Sequence, residues 1–164
     1  MGDKVYNVLF ICTGNSARSI LAESLMNHAG KGRFKAYSAG SHPTGIVNPH
    51  ALQALRDAGV PATDARSKSW DEFATADAPQ MDFVFTVCDN AAGEVCPLWP
   101  GQPMTAHWGL PDPAAVNGSQ DEIELAFRDA AITMKRRVDL MLALPLSTLD
   151  AMAIQRQVRD IGAR

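Results

Sequence analysis

The chain of 164 residues has only three cysteines, few aromatic residues and no long run of apolar or like-charged residues. Three cysteines cannot all pair with one another, and structural disulfides are uncommon in a cytosolic chain, so catalytic or redox use of the thiols is the leading alternative to inert burial. The net charge of −3, from 15 basic and 18 acidic residues without blocks, excludes a nucleic-acid groove and a polybasic membrane patch. No segment has the length of a membrane span or the pattern of a secretory signal, so we expect a cytoplasmic protein.

Histidines are also few and scattered. No cysteine or carboxylate lies at metal-ligand spacing from any of them, so the sequence predicts no bound metal ion. We expect surface or packing roles for all four, which are His28, His42, His50 and His107.

Apolar runs alternate with helical patterns along most of the chain. Four of these runs are typical of buried strands, and they cover residues 5–11, 33–38, 81–87 and 104–108. Strands that alternate with helices imply a parallel sheet whose ligands bind at the carboxyl ends of the strands. The sequence therefore predicts a three-layer α/β/α fold with a central four-stranded parallel sheet.

Helix signals separate these strands. An apolar stripe after the first strand predicts a first helix that ends at residues 30–32. A second helix is predicted to begin at the Asn48-Pro49 pair and to end at Gly59. Residues 147–164 predict a last amphipathic helix. Its side chains toward the body are expected to be Leu149, Met152, Val158 and Ile161.

Two capping-box patterns mark further helix starts. Ser69 with Glu72 predicts one that opens a short helix, and Ser119 with Glu122 predicts one ahead of a long helix. The buried face of the long helix is expected to carry Ile123, Phe127, Ala130, Met134, Val138 and Met141.

The segment between the first strand and the first helix carries the strongest functional pattern. Cys12 and Arg18 are separated by small residues, including a Gly14-Asn15 pair that tolerates positive φ. Backbone N–H groups at a helix start bind oxyanions and stabilise a thiolate, so Cys12 is the candidate nucleophile. The Arg18 guanidinium would grip two oxygens of the same anion. The predicted oxyanion loop comprises Thr13, Gly14, Asn15, Ser16, Ala17, Arg18 and Ser19.

Attack by Cys12 on a tetrahedral oxyanion requires an acid that protonates the leaving oxygen. Asp112 suits this role because it lies on a proline-flanked turn after the fourth strand, at the same end of the sheet as the loop. The alternative is an ordinary turn aspartate.

Two further thiols lie after the third strand. Cys88 and Cys96 bracket a polar segment of small residues, and thiols that flank a mobile segment can exchange a disulfide. Such exchange requires Cα atoms within about 7 Å, so the segment would carry Cys88 to Cys12 and then to Cys96. The alternative is that Cys88 is a core residue and Cys96 an incidental loop thiol.

Residues 12–19 resemble the phosphate loop of low-molecular-weight protein tyrosine phosphatases and of the arsenate reductases that share their fold. The reductases match better in Thr13, in the thiol pair ending at Cys96-Pro97, in residues 107–109 and in residues 112–114. The similarity extends to about Leu144. It predicts a phosphatase-like domain at residues 1–146, with 147–164 as a helical extension packed on that domain.

The resemblance implies that Cys12 attacks arsenate while Arg18 and the loop amides hold its oxygens, and that Asp112 protonates the departing oxygen. Cys88 would then attack Cys12 and release arsenite. Cys96 would in turn attack Cys88 and move the disulfide toward the surface. Phosphate and sulfate are the expected analogues of arsenate.

The resemblance also implies that Asn15 keeps the loop in shape and that Ser19 supports the nucleophile. The electrons would come from an external thiol donor, so no tightly bound cofactor is implied. The interval between Cys88 and Cys96 is one residue longer than in the thioredoxin-coupled members. This leaves a thioredoxin, a glutaredoxin or glutathione open as the donor.

Two other functions fit part of the pattern. A tyrosine phosphatase would need Cys12, Arg18 and Asp112 but neither of the other thiols. Phosphatases of this fold place aromatic residues after the acidic Asp-Pro pair, whereas this chain has Ala114 and Ala115 there. A non-catalytic anion-binding module is the third possibility, and an unreactive Cys12 thiol would favour it.

Overall fold

In the computed structural model, which describes residues 4–62, 64–88, 99 and 101–164, four parallel strands form one sheet. The strands are β1 (Tyr6–Cys12), β2 (Phe34–Gly40), β3 (Phe83–Thr86) and β4 (Met104–His107), in the order β2-β1-β3-β4. β1 pairs with both β2 and β3, so Cys12 stands at the carboxyl end of an interior strand.

Four α-helices and three short 3-10 turns connect and cover the strands within the described ranges. The helices are α1 (Arg18–Ala29), α2 (Pro49–Asp57), α3 (Gln120–Leu142) and α4 (Ala151–Ile161), and the 3-10 turns are Trp70–Phe73, Pro113–Ala115 and Leu146–Thr148. Consecutive residues of β1 are buried from Val8 to Cys12, so both faces of the sheet are covered. The predicted three-layer α/β/α class is confirmed.

An aromatic cluster forms part of the core between the sheet and the last helix. Phe85 stacks on Trp108 with ring centroids 4.3 Å apart, and Phe10 contacts both rings. The indole N–H of Trp108 donates to the carbonyl of Val158 at 2.8 Å, which satisfies the buried polar atom. Each fully buried apolar side chain contributes about 1.5–3 kcal/mol, so this cluster fixes α4 on the sheet.

The capping box of the long helix is confirmed. Ser119 Oγ accepts from the Glu122 amide at 3.2 Å, and the Glu122 carboxylate accepts from the Ser119 amide at 3.4 Å. The predicted apolar face of α3 is buried except at its first member, Ile123, which is half-buried.

The capping box predicted for Ser69 and Glu72 is wrong. Ser69 Oγ instead accepts from the amide of Asp71, and the element it opens is a four-residue 3-10 turn. Glu72 makes a two-pronged ion pair with the fork of Arg66, at 2.7 and 3.0 Å. The guanidinium offers two charge-assisted bonds where the helix start offers one, so the carboxylate turns toward it.

The predicted inward face of the last helix is wrong at Met152, which is 78% exposed. Asp150 caps the helix by accepting from the Ala153 amide, so Met152 lies in the first turn on the far side from the sheet. The buried stripe of α4 is Ile154, Val158 and Ile161.

α4 lies against β4, the edge strand of the sheet. Gln155 Nε2 donates to the carbonyl of Thr105 at 2.7 Å, which satisfies an acceptor on that edge. The division of the chain into residues 1–146 and an extension at 147–164 stays a prediction. Within the part of the chain that the structure describes, no helix combines the length and apolar character needed to cross a bilayer.

Candidate active site

The loop of residues 13–17 joins β1 to α1, and a neighbouring segment binds its carbonyl oxygens. Thr13 O accepts from the amide of His42 at 2.9 Å, Gly14 O from Thr44 at 3.0 Å, and Ser16 O from Asn48 at 2.8 Å. Among the described residues, no side chain caps the first turn of α1 and no acidic residue lies in that turn. The loop and helix N–H groups therefore form a site for an oxyanion.

Asn15 occupies the sharpest point of the loop. Its φ of 46° lies in the left-handed region, which asparagine tolerates better than most residues. The side chain is completely buried, donates to Ser19 Oγ at 2.8 Å and accepts from the Lys68 amide at 2.9 Å. These two bonds connect the loop to α1 on one side and to the segment around residue 68 on the other.

The thiol of Cys88 lies against the start of the loop. β3 pairs with β1 in parallel register, and the Val87 amide continues the pairing to Ile11 O at 2.9 Å, which brings Cys88 beside Cys12. Cys88 Sγ accepts from the amide of Thr13 at 3.3 Å and shares a hydrogen bond with the Cys12 thiol. Both cysteines are reduced and almost completely buried.

The second thiol reverses the direction expected for the pKa of Cys12. The hydrogen bond to Cys88, together with burial, raises the pKa of Cys12, and negative charge on Cys88 raises it further. The Arg18 guanidinium and the Gly14 amide lower this pKa, but they do not outweigh the partner thiol. Negative charge on either sulfur therefore opposes ionisation of the other.

Arg18 and Asp112 face each other across the same site. Arg18 Nη1 donates to Leu110 O at 3.0 Å, and Nη2 lies 3.6 Å from Asp112 Oδ2. Asp112 Oδ1 accepts from the Ala114 amide at 3.0 Å, which fixes the carboxyl group at the start of the Pro113–Ala115 turn. Among the described residues, the buried Arg18 Nε has no hydrogen-bond partner. An oxyanion in the loop would provide that acceptor.

A cavity of about 560 Å³ opens at this end of the sheet. Arg18, Cys88 and Asp112 line it, so three of the predicted site residues share one space. Cys12 does not line this cavity; it ends β1 beside Cys88, with 5% of its surface exposed. Cys96, the remaining predicted thiol, lies outside the described residues.

The comparison with protein families agrees with this geometry. The model of the family described as low molecular weight phosphotyrosine protein phosphatase matches residues 7–157. The chain belongs to this family. The resemblance drawn from residues 12–19 is therefore confirmed.

The relatives within this family include proteins named arsenate reductase. One from Shouchella clausii is 36% identical over 121 residues, which are 74% of this chain and 84% of the relative. One from Bacillus subtilis is 36% identical over 115 residues, which are 70% of this chain and 79% of the relative.

Solved structures similar to this chain also include arsenate reductases. An arsenate reductase in the phosphate binding state has a TM-score of 0.68 and 27% identity, covering 84% of this chain and 97% of its own. The thioredoxin-dependent arsenate reductase of Corynebacterium glutamicum has a TM-score of 0.56 and 27% identity, covering 85% of this chain and 65% of its own.

Five residues that line this cavity were not among the predicted site residues, and they include His107 and Gly162. His107, expected to be a surface or packing residue, faces the cavity and places Nδ1 2.7 Å from Thr86 Oγ1. Gly162, from the end of α4, forms another part of the wall. The position of His107 at the carboxyl end of a strand is a signal that could have identified it.

Lys68 was also missed, and its sequence neighbours gave no sign of its position. It is one of two charged residues among those described that are buried, with 7% of its surface exposed. No group of three histidine, cysteine or acidic side chains within the described ranges could hold a metal ion.

Proposed function

We propose that the protein is an arsenate reductase that uses thiol and disulfide chemistry. The observation that carries this proposal is the Cys88 thiol, which is hydrogen-bonded to Cys12 and to the amide of Thr13. Hydrolysis of a phosphate ester needs no second sulfur at that position. The relatives named arsenate reductase and the thioredoxin-dependent neighbour support the same assignment.

The first step forms a bond between sulfur and arsenic. The Cys12 sulfur attacks arsenate held by the loop amides and by Arg18, whose Nε lacks another partner among the described residues. An As–O bond breaks, and the oxygen leaves as water after Asp112 has supplied a proton. The approach of Asp112 Oδ2 to Arg18 Nη2, at 3.6 Å, supports this role because both groups then contact the same anion.

The second step transfers two electrons to arsenic. Cys88 attacks the Cys12 sulfur, an S–S bond forms, the S–As bond breaks, and the electron pair leaves with arsenic as arsenite. Cys96 then attacks Cys88, which releases Cys12 and leaves a disulfide for an external thiol donor of the thioredoxin or glutaredoxin type. The chain needs no tightly bound cofactor for these steps.

A phosphatase reaction is the second candidate, and it uses only the first part of the site. Cys12, Arg18 and Asp112 suffice for hydrolysis of a phosphate ester. The exposed Ala114 and Ala115 beside Asp112 offer no aromatic surface on which a phenyl ring could stack. We therefore propose phosphatase activity as a weak side reaction.

Arsenate reduction and phosphate-ester hydrolysis can be distinguished with the purified protein and its variant Cys88→Ser. We expect the variant to keep its hydrolysis of an aryl phosphate and to lose multiple-turnover arsenate reduction, because only the second reaction needs the relay thiol. NADPH oxidation with arsenate, coupled to a thioredoxin system or to glutathione and glutaredoxin, measures reduction and identifies the donor. Equal loss of both activities would contradict the relay.

A further inference from the structure

Lys68 is joined to the oxyanion loop through the bond from its amide to Asn15, and it does not line the cavity that Arg18, Cys88 and Asp112 share. Its surface is 7% exposed. Burial of a lysine costs free energy unless its ammonium is paired and hydrogen-bonded. The contacts of this ammonium therefore indicate what the buried charge does.

The Lys68 ammonium has two direct acceptors, and one of them connects it to Glu23. Nζ donates to the carbonyl of Arg66 at 2.9 Å and to Ser38 Oγ at 3.5 Å, and Ser38 Oγ donates to Glu23 Oε1 at 3.1 Å. Burial lowers the pKa of Lys68, and the charge of Glu23 opposes this shift. Burial likewise raises the pKa of Glu23, and Lys68 opposes that shift.

Residues 66–68 act as a strap across the back of the loop. Ser67 Oγ donates to Gly14 O at 3.1 Å, and the Lys68 amide donates to Asn15 Oδ1 at 2.9 Å. The Gly40 amide donates to Lys68 O at 2.9 Å and fixes the strap to the end of β2. Because the ammonium holds the Arg66 carbonyl, it fixes the curvature of the strap that carries both loop contacts.

We propose that the Lys68 ammonium is a built-in cation that holds this strap against the oxyanion loop, which makes Lys68 a positioning residue for anion binding. Its charge is balanced by Glu23 on α1, the helix that also carries Arg18. The ammonium thus connects the strap to the helix that provides the guanidinium. This inference concerns anion affinity and holds whichever reaction follows.

The test measures phosphate binding by protection of Cys12 from iodoacetamide, with the labelled peptide quantified by mass spectrometry. Lys68→Met removes the charge and keeps most of the side-chain length. We expect phosphate to bind about tenfold more weakly, which corresponds to one charge-assisted hydrogen bond. Lys135→Met removes an exposed lysine of α3 and is the matched control, with unchanged binding expected. Wild-type affinity in folded Lys68→Met would overturn the proposal.

Chemical rescue separates the charge from simple packing. Glu23 and Lys68 both line a cavity of about 470 Å³. A small amine can therefore reach the space that Lys68→Ala would leave. We expect ethylammonium to restore phosphate binding and ethanol, its neutral analogue, to have no effect. Equal rescue by both would assign Lys68 a packing role and overturn the proposal.

A further variant tests the strap while the charge is kept, in case the lysine variants fail to fold. Ser67→Ala removes the hydroxyl bond to Gly14 O and the acceptor of the Gly45 amide, and it leaves the Lys68 ammonium in place. We expect Ser67→Ala to weaken phosphate binding, but by a smaller factor than Lys68→Met does. Unchanged binding in this variant would show that the strap does not position the loop.

Discussion

At the scale of single residues, the Cys88 thiol raises the pKa of the candidate nucleophile Cys12. Cys12 has a guanidinium and a backbone amide that favour its thiolate, yet the hydrogen bond to Cys88 and burial raise its pKa. The sequence predicted the favourable groups because they lie in one short loop. It also brought Cys88 to Cys12, but through a moving segment, whereas the pairing of β1 with β3 already holds this thiol beside the loop.

This coupling gives a prediction for Cys88→Ala. The substitution removes both the hydrogen bond and the charge that raise the pKa of Cys12, so this pKa should fall. The rate of Cys12 alkylation by iodoacetamide, measured against pH, should therefore rise at a lower pH than in the wild type. Val87→Ala, a change at the neighbouring buried residue, is the control and should leave the profile in place. An unshifted profile in Cys88→Ala would contradict the coupling.

At the scale of secondary-structure elements, the sequence correctly predicted those strands and helix caps that depend only on residues close together in the chain. Apolar runs predicted the four strands to within a few residues, and the Ser119 capping box was correct because its two bonds lie within one turn. The Ser69 capping box failed because Arg66 competes for the carboxylate of Glu72. Neither the burial of Lys68 nor the exposure of Met152 has a local signal, since each depends on how distant segments pack.

The last helix reaches the active site through Gly162, which gives a prediction at this scale. A Cβ added at this residue would overlap the carbonyl oxygen of His107 and crowd the ring of Trp108. Gly162→Ala should therefore displace the end of β4, lower the free energy of unfolding by about 1–3 kcal/mol and slow arsenate reduction.

Urea unfolding and the coupled NADPH assay measure these two effects of Gly162→Ala. Ala163→Ser, at the exposed neighbouring residue, is the matched control and should behave like the wild type. Wild-type stability and rate in Gly162→Ala would show that the end of α4 plays no part in shaping the site.

At the scale of the whole molecule, the parallel sheet assembles the site from segments far apart in the chain. Cys12 ends β1, Cys88 follows β3 and Asp112 follows β4. The carboxyl ends of these three parallel strands lie at the same end of the sheet. The sequence therefore indicated which end of the fold holds the chemistry. Contacts behind the loop, such as the bond from Ser67 to Gly14, require the assembled tertiary structure.

Direct transfer of electrons from the thiol pair to bound arsenic is the central step of the proposed reaction. Its sharpest test is a single-turnover reaction of Cys96→Ser with arsenate, stopped by acid and mapped by mass spectrometry. We expect a disulfide between Cys12 and Cys88 that forms together with arsenite when arsenate is added, and no such disulfide with phosphate. Arsenite formed while both thiols remain open to alkylation would contradict this direct transfer.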